Sequence, residues 1–567
     1  MILGIHFGSH DASAAIVENG RLLAFMEQER FDHNKHSQAF PQAAIDFCLQ
    51  MAGVRQEDLC AVAYANDVEL TNRFKRAFTD QCYPGAYAPK AISQSEIETK
   101  LRQHLTANVP LFHTEHHLAH AASVFYSSPF KEAAIYTVDG MGNWVTSTYG
   151  HGQGSDISIL HRTPHPHSPG LYYGAVTQFL GFQAACDEGK TMGLAPYGKP
   201  KYLDQLRRIF RIEDGEVLLD LDFFTFHTQA LNDEHGHPRR WFSDRFIEVF
   251  GPARLSESTL TERDADLACS AQALLEENCF KQLTHLHHLT GSDQVCVSGG
   301  VALNCSMNGR ICANTPFRDL YVMPAANDAG LALGAALLAS RELERGFSRS
   351  PITHAYFGSE HTVDEIEAAL STLPADILVQ SPDDLASSVA ALLAEYAIVG
   401  WYQGRMEFGP RALGHRSILA NPTRADTKDI VNAKVKFREL FRPFAPVVPL
   451  EEVADYFERK TPSPFMLEIV SVREDKREVI PSVTHVDGSA RVQTIERDGN
   501  PLLHRLLLEM KKRNGVPVLL NTSFNIRGDT IVRTPEDALK CFMGTGMNAL
   551  AIGPYLLTKR NERMQPA

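Results

Sequence analysis

The chain has 567 residues, more than one hydrophobic core can organise, so two or more domains are expected. Hydrophobic residues make up 44% and charged residues 22%, the composition of an ordinary soluble globular protein. The formal net charge of -13 argues against a nucleic-acid backbone as partner, yet leaves room for a local basic pocket that takes a small anion.

The longest apolar stretch, near Leu331–Ala339, is too short to span a bilayer. Met1 runs straight into apolar residues with no basic segment or cleavage site, so a cytoplasmic protein is expected. The 10 cysteines include no C-x-x-C pair. Cys296, Cys305 and Cys312 fall on segments that read as core, which predicts buried thiols rather than a disulfide framework.

In chain order, Ile2–Phe7 predicts a strand, followed by a turn at SHDAS, a second strand, an Asn-Gly hairpin turn and a third strand. Gln42–Ala52 reads as a helix. A second cycle begins near Glu132, where AAIYTVDGMGN predicts a buried strand ending in Asp139-Gly140-Met141-Gly142, and WVTSTYG its return. Gln294–Ser298 predicts a further strand, ending in Gly299-Gly300. Strands that end in glycine plus a polar residue place backbone N–H groups and a carboxylate around one cleft. Two such units make the α/β plan of the actin, Hsp70 and sugar-kinase folds, whose cleft holds ATP. Asp328–Ala339 then reads as a helix with an acidic first residue. Composition shifts between Ser340 and Thr362, so the domain cut is placed there, giving 1–345 and 346–567. Beyond it, a helix is predicted over Asp383–Tyr396, strands over Ala397–Tyr402 and Val516–Leu520, and a frayed tail over Arg560–Ala567.

HHLAH sets His116 and His120 four residues apart, on one face of a helix, with His117 pointing elsewhere. Alone the pair is weak evidence among 24 histidines. Asp139 at a strand end and Asp328 at a helix start are natural cleft positions, although a turn former and an N-cap would explain them as well. A set of two imidazoles and two carboxylates suits Fe(II), Zn(II) or Mn(II).

The motifs HDASAA, HHLAHAAS, TVDGMGN, EGKTMGLAPYG, SGGVALNCSMNGRI, MEFGPRALGHRSILA, FRELFRPFAP, GSARVQT and NTSFN run in order along nearly the whole chain. Together they resemble the antibiotic and nodulation-factor O-carbamoyltransferases. The resemblance implies an N-terminal actin-like ATPase domain and a C-terminal YrdC-like α/β domain. It implies an ATP-dependent route in which carbamoyl phosphate and ATP give carbamoyladenylate, which carbamoylates a small-molecule hydroxyl. By position, the family's metal ligands fall on His116, His120, Asp139 and Asp328, with Fe(II) the first choice of metal. Its catalytic histidine falls on His10 and an active-site lysine on Lys35.

His10 follows the first strand, where a neutral imidazole could take the proton of an attacking hydroxyl; building the turn is its plainer role. Gly299, Gly300 and Asn304 are expected to contact nucleotide. Arg411, Arg442 and Arg491, from three separate motifs, are expected to fork the phosphate of carbamoyl phosphate, and Asn521 to bond its amide. Arg416 and Lys436 are reserves. Acceptor contacts are expected on loops such as Gly150–Gly170 and Phe223–Arg240, whose histidines (His161, His165, His167, His227, His235, His237) read as surface residues. The motifs leave the acceptor alcohol open, and a homodimer is expected. Rival readings are an actin-fold small-molecule kinase, a regulatory ATPase and a tRNA threonylcarbamoylation-type enzyme. The hydrogenase-maturation carbamoyltransferases are a further comparison, but their C-x-x-C zinc fingers are missing here.

Overall fold

The computed structural model describes residues 1–78, 93–105, 108–233 and 238–559. Two compact units emerge: Met1–Ala24 with Gln38–Ile352, and Phe25–Ser37 with Thr353–Ala567. The chain therefore divides at three places, where the sequence suggested a single cut at 345/346. No composition change marks the excursion of Phe25–Ser37.

The first unit is built on two five-stranded sheets. In one, β1 (Ile2–His6) pairs antiparallel with β2 (Ser13–Glu18) and parallel with β4 (Ala61–Ala65). With β3 (Arg21–Glu27) and β5 (Leu111–Thr114), the order is β3-β2-β1-β4-β5. The turn after β2 places Asn19 and Gly20 at φ 50° and 84°, the left-handed pair that a two-residue hairpin requires. In the other sheet, β6 (Glu132–Gly142) pairs antiparallel with β7 (Val145–Gln153), and β7 with β8 (Asp156–Pro164). On its other side β6 runs parallel to β9 (Gln294–Ser298), and β9 to β10 (Asp319–Tyr321). Each sheet thus has three antiparallel strands followed by two parallel ones. This order, used twice, is the plan of the actin-like ATPase fold.

Parallel neighbours need crossovers, and helices supply them. α1 (Gln42–Ala52) lies between β3 and β4, and α2 (Val68–Ala77) between β4 and β5. α3 (His116–Ser127) follows β5, and α4 (Glu262–Thr290) precedes β9. α5 (Gly330–Leu343) is buried along most of its length against β1, β2, β4 and α3. Glycine permits this close packing: a Cβ on Gly4 would lie 1.8 Å from the Ala332 carbonyl, and one on Gly334 1.9 Å from that of Ala119. Asp328 stands just before α5, where its carbonyl accepts the Leu331 N–H.

The second unit has an eight-stranded mixed sheet. Its strands are β11 (Ile377–Gln380), β12 (Val399–Tyr402), β13 (Arg416–Ala420), β14 (Ala445–Pro449), β15 (Gln493–Ile495), β16 (Leu519–Ser523), β17 (Ala549–Ile552) and β18 (Tyr555–Lys559). They run in the order β11-β18-β17-β12-β13-β16-β14-β15. One core packs α6 (Leu385–Ala394) and α7 (Pro501–Asn514) on Trp401, Leu419 and Leu519. A second gathers Tyr402, Ile418, Leu520, Phe542 and Leu550. The segment Phe25–Ser37 joins this unit through paired contacts. Glu27 Oε1 accepts the Gly409 N–H at 2.5 Å, and Arg30 Nη2 donates to the Gly409 carbonyl at 3.0 Å.

Several expectations change. Gly150–Gly170 is mostly the β7–β8 hairpin rather than a loop, because Ile159, His161 and Thr163 pair with Gly150, Tyr149 and Ser147. His165 is buried among Trp144, Phe78 and Phe226, and His161, His167 and His227 are half-buried. Cys312 is exposed, whereas Cys296 and Cys305 are buried. His235, His237 and the tail 560–567 lie outside the described residues. Among the described residues no helix is long and apolar enough to cross a membrane.

Candidate functional site

His116 is the first residue of α3 and His120 lies one turn on, so both rings leave the same face of the helix. Each Nε2 is 3.3 Å from Asp139 Oδ2. Asp328 Oδ1 lies 3.7 Å from His116 Nε2 and 3.5 Å from His120 Nε2. The four ligand atoms fall within 4.8 Å of one another, and all four residues are buried. Asp139 sits where β6 slips out of register with β7 between Val138 and Gly142, and its Oδ1 accepts the Gly140 N–H at 2.7 Å. That leaves Oδ2 facing the imidazoles. Asp328 Oδ2 accepts from Ser9 Oγ, while its buried Oδ1 has no hydrogen-bond partner.

Burial opposes charge on Asp139, but hydrogen bonds and the charges of His116 and His120 outweigh it and hold the carboxyl well below the usual range. Burial likewise opposes charge on His120, yet Asp139 and Asp328 push it up to about 9. The two carboxylates therefore favour positive charge at one point, which is the electrostatic demand a divalent cation meets. The donor set and the orphaned Asp328 Oδ1 fit such an ion. His120 Nδ1 is 3.4 Å from Ser298 Oγ, which donates onward to the Ala326 carbonyl. An Nδ1–H donated to Ser298 leaves Nε2 as the ligating atom. His117 turns away: its Nδ1 lies 2.7 Å from Thr137 Oγ1, its Nε2–H meets the Val145 carbonyl, and burial lowers it to about 3.

Glycines make room for these ligands. A Cβ on Gly142 would sit 2.1 Å from the His116 ring, and one on Gly300 2.8 Å from Asp139 Oδ1. Gly299, at φ 97°, has no space for a side chain against the Val138 carbonyl. Asn304 is engaged within the protein: Oδ1 accepts from Met307 N and Gln272 Nε2, and Nδ2 donates to Gln272 Oε1.

His10 joins the edge of the cluster. Its Nδ1 is 2.9 Å from Asp11 Oδ2 and its Nε2 4.0 Å from Asp328 Oδ2. Burial works against its charged form, but Asp328 and Asp11 prevail and raise it to about 10. Its basic form therefore depends on what else Asp328 binds. His6 was missed in the sequence because it continues an apolar strand. Its Nε2 lies 2.9 Å from Ser9 Oγ and 3.7 Å from Asp328 Oδ2, and burial holds it down to about 4.

The second unit holds a group of cations, and Asn521 on β16 is bonded to segments that carry two of them. Asn521 Nδ2 donates to Gln493 Oε1 at 2.7 Å and to the Ala412 carbonyl, and Gln493 Nε2 donates to the Leu413 carbonyl. These bonds tie the loop of Arg411, the approach of Arg491 to β15, and Asn521 together. Ala445, at the start of β14 just after Arg442, is paired with Asn521 in register. Asn521 Oδ1 is buried without a hydrogen-bond partner.

Arg438, not singled out from sequence, lies over the Phe444 ring and donates to Asn432 Oδ1 and the Pro443 carbonyl. Burial and the charges of Arg442, Arg491 and Arg411 hold its pKa well below the usual arginine range, with Glu439 the opposing charge. The missed signal was the first arginine in FRELFRPF, four residues before Arg442. Lys436 Nζ is surrounded by oxygens of Ser523 and Asn525; burial, then Arg438, Arg442 and Lys35 among its neighbours, pushes its pKa well down. Lys35, on the segment Phe25–Ser37 that packs in the second unit, is one of the charges acting on Lys436. Arg416 is structural: its guanidinium donates to the carbonyls of Gln403, His415, Ser359 and Gly404 and stacks on Tyr402 at 3.7 Å.

Two family models match this chain: the carbamoyltransferase N-terminus over residues 1–337 and the carbamoyltransferase C-terminus over 390–559. Nodulation protein NolNO of Sinorhizobium fredii is 38% identical, over 97% of this chain and 79% of its own. The 3'-hydroxymethylcephem-O-carbamoyltransferase of Amycolatopsis lactamdurans is 29% identical, over 96% of each chain. Likeness to solved structures is slight: HypF from T. kodakarensis covers 61% of this chain and 48% of that one at 16% identity and TM-score 0.31, so the actin-like assignment rests on strand order. With both matched regions in order and the buried cluster drawn from the first, the chain belongs to the carbamoyltransferase family and is an enzyme.

Proposed function

We propose that this enzyme is an ATP-dependent O-carbamoyltransferase that forms carbamoyladenylate from carbamoyl phosphate and ATP and passes the carbamoyl group to a small-molecule hydroxyl. The observation that carries the reading is Asn521 Oδ1, a buried acceptor without a partner, on a side chain bonded to the Ala412 carbonyl beside Arg411, in the unit where Arg411, Arg442 and Arg491 all act on Arg438. Carbamoyl phosphate matches that pairing: its –NH2 donates to the amide oxygen and its phosphate takes guanidinium forks. Few other small anions offer both groups. The second unit, proposed as YrdC-like, is then where the donor is used.

The reaction balances in three parts. Water cleaves carbamoyl phosphate to carbamate and phosphate. A carbamate oxygen attacks the α-phosphorus of ATP, forming carbamoyladenylate and expelling pyrophosphate. The acceptor hydroxyl oxygen then attacks the carbonyl, AMP leaves, and the hydroxyl proton passes to a base.

His116, His120, Asp139 and Asp328 would hold a divalent ion, proposed as Fe(II) with Zn(II) and Mn(II) as alternatives, which when bound supplies positive charge for nucleotide phosphates. Asp11 holds His10 through Nδ1, leaving Nε2 as the atom that exchanges the acceptor's proton. Asn327 in turn donates to Asp11 Oδ2 at 2.8 Å and fixes its direction. The cephem relative is named for a hydroxymethyl acceptor, which supports an alcohol here. A cytoplasmic location and a homodimer complete the reading.

Incubation with ATP, carbamoyl phosphate and a panel of alcohols, with nucleotide and phosphate products separated, tests it. AMP and pyrophosphate with a carbamate-mass product support the route. ADP formed one-for-one with a phosphorylated alcohol would make the protein a kinase.

A further inference from the structure

α3 carries both imidazoles of the candidate metal centre, yet it has no cap of its own. Its N-cap residue, Glu115, makes no capping hydrogen bond with its side chain. The Glu115 carboxylate is instead taken bidentately by Arg162, at 2.9 and 2.6 Å. The N–H of His116 at the start of the helix is one of the donors an α-helix leaves unsatisfied. Asn143 satisfies it from another element: its Oδ1 accepts the His116 N–H at 2.8 Å.

Asn143 uses the rest of its amide too. Oδ1 also accepts the Asp67 N–H at 3.4 Å, while Nδ2 donates to Thr71 Oγ1 at 2.8 Å and Asn66 Oδ1 at 3.2 Å. Asp67 is the N-cap of α2, so one side chain joins the start of α2, the start of α3 and the β6–β7 turn. That turn leaves β6 just after Asp139. Asn143 therefore fixes His116, from α3, against the strand that supplies Asp139.

Residue 143 has a second duty. Gly142 pairs with Val145, and Asn143 and Trp144 between them have φ 51° and 62°, so the turn needs a residue that tolerates left-handed backbone. Glycine or aspartate would serve the turn equally well. Only an amide makes the four bonds above.

We infer that Asn143 is a positioning residue for the metal centre, setting the His116 ring through the backbone N–H it caps. The inference rests on the proposed metal role of His116, His120, Asp139 and Asp328. Substitution at the turn separates its two duties. Asn143→Gly keeps the left-handed turn and removes the amide. Asn143→Asp keeps the turn and an oxygen for the His116 N–H, and loses the donors to Thr71 and Asn66.

The test titrates Zn(II) and Mn(II) into metal-stripped full-length protein against a chromophoric chelator, with thermal melting as the folding control. Asn143→Gly is expected to weaken binding by about 10- to 100-fold, the usual effect of losing a group that orients a ligand. Asn143→Asp is expected to lie within about threefold of the original chain, because the cap survives. Unchanged affinity in Asn143→Gly overturns the inference. So does an Asn143→Asp variant that folds but binds as weakly as the glycine variant. If Asn143→Gly does not fold, the aspartate variant decides alone. Absence of binding by the unaltered chain overturns the metal reading itself, and the inference with it.

Discussion

Asp139 Oδ2 lies 3.3 Å from His120 Nε2, joining the end of β6 to the second turn of α3. Neither group has an ordinary affinity for protons there, since each is stabilised in its charged form by the other. His120→Ala should abolish uptake of Zn(II) or Mn(II) and lower carbamoyl transfer by about 100-fold or more, as loss of an inner ligand does. His117→Gln is the contrast. It should cost about 1–3 kcal/mol of stability through broken buried hydrogen bonds, yet leave one metal per chain. Metal analysis beside thermal melting distinguishes the two.

Gly142 gives a steric version of the same test. A methyl group there would overlap the His116 ring, whereas one at Gly189 meets nothing within 4 Å. Gly142→Ala should weaken metal binding by about tenfold or more, while Gly189→Ala should leave it unchanged. Chelator competition on the two purified variants checks this.

In the second unit, Asn521→Ala and Arg438→Gln should each raise KM for carbamoyl phosphate by about 10- to 100-fold, with little change in KM for the acceptor. Steady-state kinetics with each substrate varied in turn reads the outcome. Equal effects on both substrates would point to a folding defect instead. Arg416→Gln should behave in that second way, because its guanidinium serves four carbonyls and the Tyr402 ring.

Acid stability follows from histidines buried in their neutral form. Burial lowers His165 to about 3 and His415 to about 4. Between those values and about 6.5 the unfolded chain binds a proton that the folded chain does not, so stability falls as pH drops. From pH 7 to 5 the loss is about 2 kcal/mol for each histidine. His165→Gln should flatten the acid side of a plot of melting temperature against pH. A slope unchanged from the original chain would show that His165 does not carry this term.

Much of the first unit could be read from residues. The Asn19-Gly20 hairpin, the helix Gln42–Ala52 and the strand Gln294–Ser298 each follow from local patterns, and each is present. His116, His120, Asp139 and Asp328 were nameable because helix spacing and strand-end position are local properties, although their meeting at one point is tertiary. What escaped depends on distant partners. Phe25–Ser37 packs with the second unit through Glu27, Arg30 and Gly409, and nothing in its own composition announces this. Asn143 reads as a turn residue until the His116 N–H is beside it. The pairing of the Asn304 amide with Gln272 on α4 is likewise invisible in the SGGVALN motif. Cys312 was misjudged because a short amphipathic turn can look like core when its outer face is unknown.

The most direct test of the central claim is carbamoyl phosphate-dependent exchange of labelled pyrophosphate into ATP, with the acceptor alcohol omitted. On the proposed route carbamoyladenylate forms reversibly at the pyrophosphate step, so label should enter ATP only when carbamoyl phosphate is present, and Asn521→Ala should reduce it. Absence of exchange by metal-loaded protein in the presence of carbamoyl phosphate would contradict the account.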